Sequence, residues 1–122
     1  MYLLYGKNIT CGYDTVDILT ECTVGVKKGE IASIVGPNGA GKSTAMKSIF
    51  GLLKIRLGKI FLDNEDITNL LPQERVLKGM GYVPQTNNIF PTLSVQENLE
   101  MGAFIQHEDF SDILDYVYDL FP

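Results

Sequence analysis

Apolar positions come in short alternating runs over the first 26 residues and shift to helical spacing further along the chain. From Tyr2 to Val26, Val16, Ile18, Leu19 and Val24 offer apolar faces in segments broken by Gly6, Gly12 and Gly25, which predicts antiparallel sheet. A turn at Gly29-Glu30 precedes Ile31-Ala32-Ser33-Ile34-Val35, a nearly continuous apolar run that predicts a central parallel strand buried on both faces. Met46, Ile49, Phe50 and Leu53 then recur at spacings of three and one, predicting a helix from Ser43 that ends near Gly51 or Leu53. Ile60-Phe61-Leu62 followed by Asp63-Asn64 reads as a strand entering a hairpin turn. Pro72 to Leu77 reads as a short helix with Pro72 at its start, and Met80 to Val83 as a further strand. Ser94 with Glu97 three residues later forms a capping box for a helix through Met101. Ile113, Leu114, Val117, Leu120 and Phe121 predict a last helix from Ser111 to Phe121.

Composition bounds the partners. A chain of 122 residues, 45% hydrophobic and 20% charged, suits one globular core at most. The formal net charge of −5 offers no general attraction to nucleic acid, and no nucleic-acid partner is expected. Cys11 and Cys22 lack CxxC spacing and are too few for a disulfide framework, so reduced, partly buried thiols are expected. No apolar run approaches the ~18 to 20 residues that span a bilayer, and the first residues lack a basic region leading into an apolar stretch. A cytoplasmic protein is expected, with any membrane role supplied through a partner.

The chemistry concentrates in Gly36-Pro37-Asn38-Gly39-Ala40-Gly41-Lys42-Ser43-Thr44, which meets the pattern Gly, four residues, Gly-Lys-Ser/Thr in full. Glycines let the backbone wrap an anion closely while amide groups and the positive end of the following helix converge on it. Lys42 would reach the β- and γ-phosphates of a nucleotide, Ser43 would ligate Mg²⁺ and Thr44 would donate to the α-phosphate. The pattern alone serves a small GTPase, a nucleotide kinase or a motor ATPase equally well, and a glycine-rich turn that only reverses the chain is the plain alternative. Ile60-Phe61-Leu62-Asp63 superficially matches an apolar strand ending in a Mg²⁺-binding aspartate, yet it follows the loop helix too soon, and Asp63, Glu65 and Asp66 read as a solvated turn. His107, between Gln106 and Glu108, reads as exposed surface.

Over essentially its whole length the sequence resembles the ATP-binding-cassette (ABC) ATPases. The wording of residues 36–44 is similar to that family's phosphate loop. Tyr13, 23 residues before Gly36, matches the aromatic position on which the family stacks adenine. Gln85, in Gly81-Tyr82-Val83-Pro84-Gln85, matches the glutamine loop, whose side chain approaches Mg²⁺ and the attacking water. Within the family, Leu71-Pro72-Gln73-Glu74-Arg75, Ile89-Phe90-Pro91 and Asn98-Leu99-Glu100-Met101-Gly102-Ala103 are similar to ATPase subunits of branched-chain amino-acid importers.

The resemblance implies an α/β P-loop NTPase fold, with a partial parallel core sheet and an N-terminal antiparallel lobe, residues 1–122 forming the front part of one nucleotide-binding domain. It implies ATP and Mg²⁺ as ligands, with Tyr13, Gly36, Asn38, Gly39, Ala40, Gly41, Lys42, Ser43 and Thr44 around the nucleotide, Ser43 and Gln85 toward the metal, and Lys42 and Gln85 in catalysis. It implies transmembrane permease subunits and a second, head-to-tail ATPase subunit as partners, and a place on the inner face of the cell membrane. The family's signature segment, its strand bearing the Mg²⁺ aspartate and catalytic glutamate, and its switch histidine are not in these 122 residues, so this chain is expected to bind ATP far better than it hydrolyses it. A soluble ABC ATPase without a transport role and a non-functional fragment remain as alternatives.

Overall fold

A computed structural model describes residues 1–37, 39, 41–86, 88–104 and 109–122. The chain divides into two compact units, Met1–Tyr82 and Val83–Pro122. The first is built on an antiparallel sheet. Strand β1 (Leu4–Tyr13) pairs with β2 (Val16–Val26) from Leu4↔Val26 to Tyr13↔Val16, joined by a two-residue turn in which Asp14 takes φ 53°. Strand β3 (Leu57–Leu62) pairs antiparallel with the other edge of β1, from Leu4↔Leu62 to Thr10↔Leu57. Asp63 and Asn64, both at positive φ (48° and 66°), turn the chain into the two-residue β4 (Glu65–Asp66). Consecutive left-handed residues match the twist of the flanking strands, and Asp and Asn tolerate that region. The sheet order is β2-β1-β3-β4.

Helix α1 (Lys42–Phe50) lies against this sheet through buried Thr44, Ala45 and Ser48. The core beneath it comprises Ile9, Cys11, Leu19, Ala45, Ile60 and Ile67. Each fully buried isoleucine contributes roughly 1.5–3 kcal/mol by leaving water. Burial also pushes the Cys11 thiol pKa up, partly opposed by its hydrogen bond with Ser48.

Helix α1 ends at Gly51, in the left-handed region at φ 92°, with its N–H donating to the Lys47 and Ser48 carbonyls. Beside it, α2 (Pro72–Leu77) carries Arg75, only 2% exposed. The Arg75 guanidinium donates to four carbonyls: Leu70 O (3.1 Å), Ser48 O (3.3 Å), Ile49 O (2.6 Å) and Thr68 O (3.0 Å). Arg75 thus joins the negative end of α1 to the 68–70 turn and to α2. A Cβ on Gly51 would sit 2.8 Å from Arg75 Nε, so this position combines a left-handed backbone with a close approach.

Two expected strands are absent from the described residues. Residues 31–35 and 80–83 join no ladder, so the parallel pairing anticipated for Ile31–Val35 is not formed. Ile31 and Val35 are 97% and 87% exposed, the reverse of the burial that a central strand has. A strand of this kind exists only where neighbours accept its backbone hydrogen bonds on both edges, and no described segment does so. The expected helices at 72–77 and from Ser94 do form.

The second unit holds α3 (Val95–Gly102) and α4 (Ser111–Leu120), neither with a buried residue. Ser94 caps α3 reciprocally, its Oγ accepting from Glu97 N–H (3.1 Å) and its own N–H donating to Glu97 Oε1 (3.1 Å). Asn98 fastens the preceding turn: its Oδ1 accepts from Phe90 N–H (2.7 Å), and its Nδ2 donates to the carbonyls of Phe90, Leu93 and Ser94.

Candidate functional site

The 36–44 loop leads directly into α1. Gly41 occupies the N-cap position at φ 95°, where a side chain is rarely accommodated, and a Cβ there would also meet Leu19 Cδ2 at 2.6 Å. The left-handed backbone favours glycine, and the short approach marks how closely the loop lies to Leu19. The same contact packs the loop against β2, and so against the hairpin that ends at Tyr13.

No side chain caps α1, and its first turn contains no acidic residue. The N–H groups at a helix start have no intrahelical partners and carry the positive end of the helix dipole. Lys42, the first residue of the helix, adds a full charge, and its Nζ donates to the Gly36 carbonyl, drawing the loop closed on itself. Ser43 is exposed in the same turn, whereas Thr44 is 6% exposed and contributes to the packing of α1. This is a donor set for an anion with several oxygens: backbone amides, an ammonium group and a hydroxyl. Among the described residues no group of three or more His, Cys, Asp or Glu side chains is placed to hold a metal. Within the first unit, a divalent ion at this loop would find the Ser43 hydroxyl beside oxygens of the anion itself, which suits a hard ion such as Mg²⁺.

Gly36, Gly39, Gly41, Lys42, Ser43 and Thr44 are brought together here, while Asn38, Ala40 and His107 lie outside the described residues. Tyr13 closes β1 beside the hairpin turn, 46% exposed. Gln85 is exposed in the second unit.

Sequence reasoning gave no role to three residues that hold turns. In the first unit Arg56 bonds to Asp14 and Asp17 at the β1–β2 turn and Arg75 holds the far end of α1; in the second, Asn98 holds the 90–98 turn. An arginine or asparagine carries no mark in the sequence of the carbonyls that it will meet, so no signal distinguished them.

The family model described as ABC transporter matches residues 19–119. A branched-chain amino acid transport ATP-binding protein (LivF, designated probable) of Archaeoglobus fulgidus is 43% identical over 121 residues, covering 98% of this chain and 51% of that protein. The lipopolysaccharide export system ATP-binding protein LptB of Haemophilus influenzae is 38% identical over 99 residues, covering 81% of this chain and 41% of its own length. Among solved structures, the ADP conformation of an ATP-binding cassette of an ABC transporter superposes with a TM-score of 0.77 at 34% identity, over 95% of this chain and 46% of that one. The chain spans about half the length of the curated relatives it matches. Because the match runs from β2 through α4, across the glycine-rich loop and both units, the chain belongs to the ABC transporter ATP-binding family.

Proposed function

We propose that residues 1–122 belong to one nucleotide-binding domain of an ABC transporter, and that ATP binding and hydrolysis by the complete protein energise import of branched-chain amino acids. The observation that carries the nucleotide reading is the start of α1: an uncapped helix end with no carboxylate in its first turn, opened by Gly41-Lys42-Ser43. Lys42 leaves the Gly36 carbonyl for the β- and γ-phosphates, and the loop amides of 36–44 wrap the same oxygens. Tyr13 stacks on the adenine. Ser43 and Gln85 would hold Mg²⁺, which when bound would supply neutralising charge to the phosphates. Gln85 also orients the attacking water, and residues 86–100 pass nucleotide state to transmembrane permease subunits on the cytoplasmic face of the membrane. A second copy of the domain, packed head to tail, completes the assembly.

Support for the cargo comes from the 43% identical relative named for branched-chain amino acid transport, which covers 98% of the chain. The 38% identical relative named for lipopolysaccharide export favours a second reading, the same ATPase coupled to an exporter. Titration of a fluorescent ATP analogue into the full chain tests the site. Loss of a charge-assisted contact of ~1.5–3 kcal/mol should weaken binding by Lys42→Ala at least about tenfold; unchanged affinity overturns the assignment. Uptake of labelled leucine by vesicles bearing the complete transporter decides between the cargo readings.

A further inference from the structure

The ladder of the hairpin that presents Tyr13 is interrupted along its length. Register shifts interrupt the β1/β2 pairing between Gly6 and Ile9, between Ile9 and Cys11, and between Cys11 and Gly12, all shortly before Tyr13. Bulges of this kind bend a strand and redirect the side chains beyond them. An interrupted ladder leaves the direction of the hairpin end open to contacts from outside the hairpin.

Arg56, just before β3, makes three connections to that end. Its backbone N–H donates to Thr10 O (2.8 Å), one guanidinium nitrogen pairs with the Asp17 carboxylate, and the other donates to the Asp14 carbonyl. Thr10 precedes Tyr13 on β1, Asp14 follows it in the turn, and Asp17 stands opposite Gly12 on β2. The three anchors surround the tyrosine in the chain, and a planar two-pronged donor suits such a pair of acceptors better than an ammonium group. On the loop side the same hairpin rests on Gly41 through Leu19. The Arg56 and Asp17 side chains are 35% and 42% exposed, and an ion pair so exposed adds little to overall stability.

We propose that Arg56 is a positioning residue for nucleotide recognition, fixing the end of the β1–β2 hairpin so that Tyr13 meets the base while the loop holds the phosphates. This rests on the adenine-stacking reading of Tyr13. Arg56 itself touches no part of the nucleotide.

The test is a double-mutant cycle in the full chain, with binding of ATP and of inorganic triphosphate measured for wild type, Tyr13→Ala, Arg56→Ala, Arg56→Lys and the Tyr13→Ala/Arg56→Ala pair. Loss of one ring-on-base stack should weaken ATP binding about fivefold in Tyr13→Ala, and Arg56→Ala should approach the same loss. The pair should be no weaker than Tyr13→Ala alone, and triphosphate affinity should stay unchanged throughout. Arg56→Lys, which keeps the charge but not the fork, should recover only part of the loss. Asp17→Asn, which removes the ion pair and spares the Asp14 bond, is measured beside them together with each melting temperature, and should lose ATP affinity alone. Additive losses, equal losses of ATP and triphosphate, or unchanged ATP binding in both Arg56→Ala and Asp17→Asn would overturn the role of Arg56. Unchanged ATP binding in Tyr13→Ala would instead overturn the adenine reading on which it stands.

Discussion

Replacing Arg75 with methionine keeps much of the apolar stem and removes the guanidinium from its four carbonyls, at Leu70, Ser48, Ile49 and Thr68. Each hydrogen bond to a charged group is worth ~1.5–3 kcal/mol, and a carbonyl left unpaired in the interior costs a further ~1–3 kcal/mol. Against this stands the several kcal/mol spent in taking the ion out of water. Burial also pushes the Arg75 pKa down, the direction expected of a desolvated cation. The net loss for Arg75→Met should be ~2–4 kcal/mol. With a urea m-value of about 2 kcal/mol/M, the unfolding midpoint should fall by ~1–2 M, read by far-UV circular dichroism. Arg75→Lys retains the charge but cannot span carbonyls from both α1 and the 68–70 turn, so it should recover less than half. Gly51→Ala, which would place a Cβ 2.8 Å from Arg75 Nε, should destabilise the wild type more than it destabilises Arg75→Met. A methionine variant whose midpoint lies within about 0.2 M of wild type would refute the reasoning, because the four bonds would then only break even with desolvation.

Two further outcomes follow from titrating groups. The Glu97 pKa is lowered, first by the backbone hydrogen bond from Ser94 and then by its side-chain hydrogen bond, so the folded state favours the carboxylate. Its contribution is complete above the ordinary glutamate range and is lost as pH falls through the lowered value; amide chemical shifts at the start of α3 should lose helical character in that acid window, and a Glu97→Gln variant should lack that response. Cys11 is fully buried with a raised thiol pKa, while Cys22 is partly exposed. A thiol-reactive dye at pH 8 should therefore label one cysteine quickly and the second only on unfolding; rapid labelling of both would contradict the burial of Cys11.

What could be read from the sequence was what local chemistry determines. The Asp63-Asn64 turn, Pro72 at the start of α2 and the Ser94/Glu97 box each act within a few residues, and each appears where expected. The antiparallel lobe was legible as short β-type segments with apolar faces, although its strands run longer than the glycine breaks implied: β1 continues through Gly6 and Gly12, and β2 through Gly25. Ile31–Val35 failed as a strand because an apolar run states only that a segment avoids water, not which backbone will pair with it. At the loop, glycine spacing and Gly-Lys-Ser could be seen, but the packing of Gly41 on Leu19 joins residues distant in sequence. Arg56 and Arg75 were invisible for the same reason, since their partners are mostly carbonyls, which every residue has.

The bonds of Ser94, Glu97 and Asn98 all close within residues 90–98. A segment whose shape is written into its own nine residues does not borrow it from the scaffold. The side chains of Ile89, Val95 and Met101, all exposed, take no part in those bonds, so replacing them should leave the 90–98 turn intact. In engineering terms it is a self-contained cassette, and the short stretch from Phe90 to Asn98 is the natural unit to transplant where the same turn is wanted in another chain.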